Sequence, residues 1–113
     1  MHRLFRLAAP GCLILLAILS WLPADEMIRT GADGRIEHFI AYFCTTMVVL
    51  AAYTPRLRPR SLTVMLVGYA AVLELGQHFS PGRYPSLFDF AASSLGVMAG
   101  AALFAYRLSR SAN

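Results

Sequence analysis

The stretch "LELGQHFSPGRYPSLFDF", residues 73–90, gathers Glu74, Gln77, His78, Arg83 and Asp89 around one short turn. Apolar runs flank it on both sides. Its centre, "SPGRYPS", holds two prolines and a glycine, a composition that suits a tight turn. The segment therefore reads as the end of one apolar element, a turn, and the start of the next.

The flanking runs decide the fold class. The chain has 113 residues, 58% of them hydrophobic and 14% charged, against about 25% charged in an ordinary soluble domain. A single domain of this length has too much surface for its volume to hide that apolar excess. The excess is expected to face lipid. Four segments, about Leu4–Leu22, Ile36–Thr54, Ser61–Phe79 and Leu87–Tyr106, come close to the ~20 residues that cross ~30 Å of hydrocarbon. In lipid each backbone N–H and C=O must be satisfied within its segment, so the spans are expected to be helices. The connections are short, which predicts antiparallel packing of sequence neighbours. The expected fold is all-α: one integral membrane four-helix bundle occupying residues 1–113.

The first span also resembles a secretory signal. "MHRLFR" is a basic head, "CLILLAIL" an apolar centre, and Ala24 a candidate residue before a cleavage point. Leu22 stands where a small residue is preferred, so retention as a transmembrane helix is the expectation. Pro10 either starts or kinks that helix, and both are tolerated in membranes. Cys12 and Cys44 fall inside spans and read as small apolar side chains. "SRSAN", residues 109–113, reads as a short frayed tail.

All ten basic residues are arginine. With the N-terminus inside, Arg3, Arg6, Arg56, Arg58, Arg60, Arg107 and Arg110 fall on the cytoplasmic side, and Arg29, Arg35 and Arg83 on the outer side. That asymmetry is the positive-inside pattern, and it predicts cytoplasmic termini in a multi-pass cell-membrane protein. It also accounts for the net charge of +4. Membrane lipids, and no nucleic acid, are the partners expected of these arginines.

Residues three and four apart share a helix face. His38, Tyr42 and Thr45 form one stripe on the second span, with Glu37 beside it at the outer end. Glu74, Gln77 and His78 share a face of the third, and Asp89, Ser93, Gly96 and Gly100 line up on the fourth. The first span offers little beyond Ser20. An extracytoplasmic polar pocket between the second, third and fourth helices is therefore expected. Glu74 lies ~8 Å inside its span, where an ionised group costs ~2.5–3.5 kcal/mol. It must face the bundle interior, a water pocket or a partner such as Arg83. Gly96 and Gly100 form a small-xxx-small seam, expected to pack against the third helix.

The combination resembles the VanZ-like family of small bacterial membrane proteins. "ELGQHFSPGRYPSLFDFAASSLGVMAG" is similar to that family's Glu-x-x-Gln, Pro-Gly-Arg and helix-opening aspartate, followed by an asparagine and spaced glycines. "RIEHFIAYF" resembles its Lys-x-x-His-Phe-x-x-Tyr element. The resemblance runs from Arg35 to Gly100. It implies roles for Glu74, Gln77, Arg83 and Asp89, and for His38, Tyr42, Gly96 and Gly100. Arg35 stands where lysine is usual, which changes the geometry of the charge. Ser93 stands where asparagine is usual, exchanging an amide for a hydroxyl. The family's founding role, a contribution to teicoplanin resistance, implies work at the bacterial cell envelope.

Each candidate has two readings. Glu74 with Arg83 is either an ion pair closing the third and fourth helices or a ligand- or proton-handling group. Asp89 is either a helix N-terminal carboxylate or part of the site. Gln77 is either a helix–helix bridge or a ligand contact. His78 and Glu37 fit the headgroup boundary, and His38 stands evenly between structure and site. No H-E-x-x-H spacing and no Cys/His ligand set is present, so neither metal nor cofactor is expected. The Pro-Ser-Gly-His and His-x-x-x-Asp elements of lipid-phosphate phosphatases are absent too.

The leading expectation is a binding protein. Arg83, supported by Arg35, takes an anionic lipid or lipid-linked cell-wall precursor headgroup, with Glu74 and Asp89 orienting it and Gln77, Tyr42, His38 and Ser93 adding neutral contacts. One alternative is a membrane enzyme using Glu74, His38 or Asp89 as acid or base on such a substrate. Another is a structural assembly subunit whose polar core serves packing alone.

Overall fold

Four helices carry most of the chain: α1 (His2–Trp21), α2 (Gly34–Tyr53), α3 (Pro59–Gly76) and α4 (Leu87–Ser111). Two short 3-10 turns, Ala24–Glu26 and Gln77–Phe79, follow α1 and α3. The structure is a computed structural model and describes residues 1–113. All four helices are long and apolar enough to cross a membrane. Ile14, Val64, Leu95 and Met98 remain exposed on the outer faces, as lipid-facing positions would.

Local chemistry sets the helix ends. Asp33 caps α2, its carboxylate accepting from the Arg35 N–H at 2.8 Å. Pro59 opens α3, where its missing N–H leaves no partner unsatisfied. At the far end of α2, Arg6 Nε donates to the Ala52 carbonyl at 3.4 Å and His2 Nδ1 lies 3.3 Å from the Ala51 carbonyl. Both groups sit at the negative end of the helix dipole. Pro10 is carried inside α1 without ending it.

The expected frayed tail is helical as far as Ser111. Ser109 and Ser111 donate to the Tyr106 and Leu108 carbonyls at 2.7 and 2.9 Å, and Arg110 lies in the last turn, where a cation suits the dipole.

Sequence neighbours α1/α2 and α3/α4 pack antiparallel as expected, whereas α2 and α3 do not pair closely. Around the bundle the order is α1, α2, α4, α3, and α2 meets its sequence neighbour α3 only sparsely. The most extensive interface joins α2 to α4, two helices that run in the same direction. Gly96 and Gly100 make it. A Cβ on Gly96 would stand 2.3 Å from the Phe39 carbonyl oxygen, and one on Gly100 would stand 2.9 Å from that of Phe43. The glycine seam therefore faces α2 and not α3, because the close approach needs a bare backbone on α4 where α2 presents its carbonyls. Leu50 of α2 and Val97 of α4 fill the centre and are fully buried.

Candidate functional site

The site end holds the 22–33 connection and the 80–86 turn. Its construction starts at the last turn of α3. The Gln77 N–H bonds to the Glu74 carbonyl in 3-10 fashion, which leaves the Leu73 carbonyl without its usual helical donor. Trp21 Nε1 supplies one from α1 at 3.0 Å. The indole lies against Gly76, where a Cβ would stand 2.5–2.8 Å from ring atoms.

The turn then folds back over the end of α1. Gly82 takes φ +72°, a left-handed conformation that glycine adopts without steric cost. Ser80 Oγ donates to the Trp21 carbonyl at 2.7 Å and Arg83 to the Leu22 carbonyl at 3.4 Å. The Ala24 N–H donates to the Pro81 carbonyl at 3.0 Å. "SPGR" thus satisfies carbonyls that α1 leaves open. The hydrogen bond of Arg83 goes to α1, not to Glu74.

Glu74 turns the other way. Its Oε1 accepts the Ser86 N–H at 2.8 Å, and Ser86 in turn caps α4 by accepting from the Asp89 N–H at 3.3 Å. In a capping box a carboxylate within the helix takes the cap residue's own N–H. Here Glu74 of α3 takes it, which ties the two helices together and leaves the Asp89 carboxylate without a protein donor. The proposed Glu74–Arg83 ion pair is replaced by two separate anchors, although the charges of Glu74, Asp89 and Arg83 still act on one another.

His38 Nδ1 lies 3.1 Å from Ser93 Oγ, bridging α2 to α4. Ser93, Tyr42 and Gln77 are each at most 3% exposed, so the site's neutral side chains belong to its wall. Arg35 does not join Arg83: its guanidinium lies over the Phe88 ring, 4.9 Å from the centroid, a cation–π contact that holds it on the α4 side.

The cleft that Arg83 borders lies elsewhere than the expected pocket. It is a cleft of about 510 Å³ between α1, the 22–33 connection and α2, with Leu15, Leu19 and Ile40 on its apolar wall and Glu37, His38, Tyr42 and Arg83 on its polar side. The first helix, which has almost no polar pattern, supplies Leu15, Leu16, Leu19 and Ser20 to that lining. Burial draws the Arg83 guanidinium below its ordinary pKa, while Glu74 and Asp89 oppose the shift; arginine stays charged at neutral pH regardless. A smaller cleft of about 270 Å³ opens between α3 and α4 beside Glu74. No three His, Cys, Asp or Glu side chains converge on a metal position.

Sequence reasoning passed over Trp21, Ser80, Ser86 and Tyr69, whose hydroxyl donates to the Leu13 carbonyl of α1. The Ser-x-x-Asp spacing of 86–89 was a readable helix-start signal. The only tryptophan, at the end of an apolar span, was a readable interface anchor. Comparison with protein-family models, curated proteins and solved structures finds no match.

Proposed function

We propose that the chain is a multi-pass membrane protein with cytoplasmic termini that binds an amphiphile bearing an anionic phosphate headgroup. One observation carries the proposal: Arg83 borders the same cleft as the apolar side chains of Leu15, Leu19 and Ile40. A cation beside an apolar wall complements a headgroup attached to a chain. Leu22 accepts only one of the guanidinium's five N–H donors, and the rest form a planar fork suited to phosphate. The orientation rests on charge. All six acidic residues belong to the site end, and seven of the ten arginines to the other, in keeping with the positive-inside rule. The VanZ-like resemblance adds an envelope role, with a lipid-linked cell-wall precursor as one carrier of such a headgroup.

The test uses native mass spectrometry of the protein in phosphatidylcholine nanodiscs doped with phosphatidylglycerol. Phosphatidylglycerol adducts are expected to exceed phosphatidylcholine adducts, and both Arg83→Gln and the cleft-filling Leu19→Trp are expected to remove the preference. A preference that survives both substitutions refutes the proposal.

Acid–base chemistry on a lipid-linked substrate is the second reading. It is favoured by His38, which borders the cleft while Ser93 holds one ring nitrogen, leaving the other available for a proton. Turnover lost in His38→Gln with headgroup binding intact would select it.

A further inference from the structure

The charges of Glu74, Asp89 and Arg83 act on one another where α3, α4 and the 80–86 turn join, yet none of the three forms an ion pair. Arg29 also acts on Arg83, but the hydrogen bond of Arg83 goes to Leu22 and that of Glu74 to the Ser86 N–H, so no guanidinium neutralises Glu74 by direct contact. His38 and Tyr42 of α2 also face this region. A carboxylate at the depth of a membrane span with no ion-pair partner calls for a proton or a cation.

Glu74 is placed to receive one. It is 7% exposed, its Oε1 holds the Ser86 N–H, and no protein donor reaches Oε2. The residue forms the polar spot of the cleft between α3 and α4, whose walls are Ala71, Leu75, Leu87 and Phe90. Leu75 and Leu87 are 63% and 80% exposed, so the mouth of the cleft lies on the apolar outer surface. A ligand that enters there meets hydrocarbon first and a carboxylate at the end.

We propose that the α3/α4 cleft is a second binding site, for a small amphiphile carrying a primary ammonium group. The alkyl part lies against Leu75, Leu87 and Phe90, and the ammonium N–H donors reach the open oxygen of Glu74. A proton occupies that oxygen when the amine is absent, so the two compete. The site is separate from the α1/α2 cleft: it lies on the opposite side of the bundle, and Glu74 is its only charged side chain, whereas Arg83 and Glu37 both border the other.

Dicyclohexylcarbodiimide, an apolar reagent that partitions into bilayers, tests both accessibility and charge preference. The carboxyl oxygen adds to its central carbon and the acid proton moves to a nitrogen. The O-acylisourea then rearranges to a stable N-acylurea with nothing released. In phosphatidylcholine nanodiscs, peptide mapping of the full chain is expected to place the label on Glu74. Glu74→Gln, which still offers an oxygen to the Ser86 N–H, is expected to remove it. Dodecylamine can also trap the O-acylisourea as an amide with release of dicyclohexylurea, so both products are counted. Total modification of Glu74, N-acylurea plus dodecylamide, should slow roughly tenfold or more, the worth of one charge-assisted hydrogen bond, while dodecanol should not slow it. Leu19→Trp, which fills the other cleft, should leave labelling and protection unchanged, so the two sites succeed or fail independently. Absence of label on Glu74, or equal protection by dodecanol, overturns the proposal. A direct reading comes from native mass spectrometry: dodecylamine adducts that persist in Glu74→Gln overturn it as well.

Discussion

Trp21 Nε1 donates to the Leu73 carbonyl across 3.0 Å, a contact that depends on the last turn of α3 tightening into a 3-10 form. The bond joins the ends of α1 and α3 directly beneath the turn that carries Arg83. It helps to fix α1, and with it one wall of the larger cleft, through a backbone oxygen released from helical duty, beside the bonds of Tyr69 to Leu13 and Ser80 to Trp21.

Trp21→Phe keeps a ring but loses the donor, and is expected to cost about 0.6 kcal/mol, at most about 1.7, the range of hydrogen bonds between membrane helices. Gly76→Ala is expected to be worse, because its Cβ would stand 2.5 Å from Nε1 and the ring must move off. Thermal unfolding in detergent ranks the two.

Gly96→Ala should destabilise by about 1–3 kcal/mol, the usual cost of overpacking, since the obstacle is the Phe39 carbonyl of the α2 backbone. Gly68→Ala is the control. It meets open space, and loss of glycine freedom should leave it neutral or stabilised by about 0.4–1 kcal/mol. Parallel denaturation curves of the two variants check both signs.

Glu74→Ala removes the acceptor of the Ser86 N–H and should cost about 1–3 kcal/mol, with faster hydrogen exchange at the start of α4. Glu74→Gln retains an acceptor and should leave that exchange close to wild type. Exchange mass spectrometry over residues 84–92 separates them. Equal acceleration in both variants would show that charge, rather than the hydrogen bond, anchors α4.

Ser93→Ala should free the His38 ring, because the hydroxyl 3.1 Å from Nδ1 is its only hydrogen-bond partner in the protein. The expected readout is a change in the His38 nitrogen chemical shifts and tautomer balance, with stability lowered by no more than about 1.7 kcal/mol. Unchanged shifts would mean that the α2–α4 bridge is not formed in the membrane.

Much of the fold was legible because its causes are local. Four apolar runs of span length became four helices, with starts and stops within a few residues of those read from the chain; the main departure was the end of α4, where serine hydroxyls and Arg110 extend the helix to Ser111. Burial of Glu74, Gln77, Tyr42 and Ser93 was readable too, since helical spacing puts them on inward faces and lipid disfavours polar groups. The directions of Arg83 and Arg35 were not. Each long side chain lies within reach of several partners, and choosing among the Leu22 carbonyl, the Phe88 ring and the Glu74 carboxylate requires the positions of other helices.

Sequence by itself determined the elements, their apolar outer faces and the concentration of polar side chains at one end, because hydropathy and helical period act within a segment. Only the tertiary structure decided which helices touch. In lipid every outer face is apolar, so hydrophobic pattern does not select partners; close backbone approach and individual hydrogen bonds do. Gly96 and Gly100 therefore paired α4 with α2, Trp21 secured α1 beside α3, and the cleft beside Arg83 opened against the one helix that carries almost no polar signal.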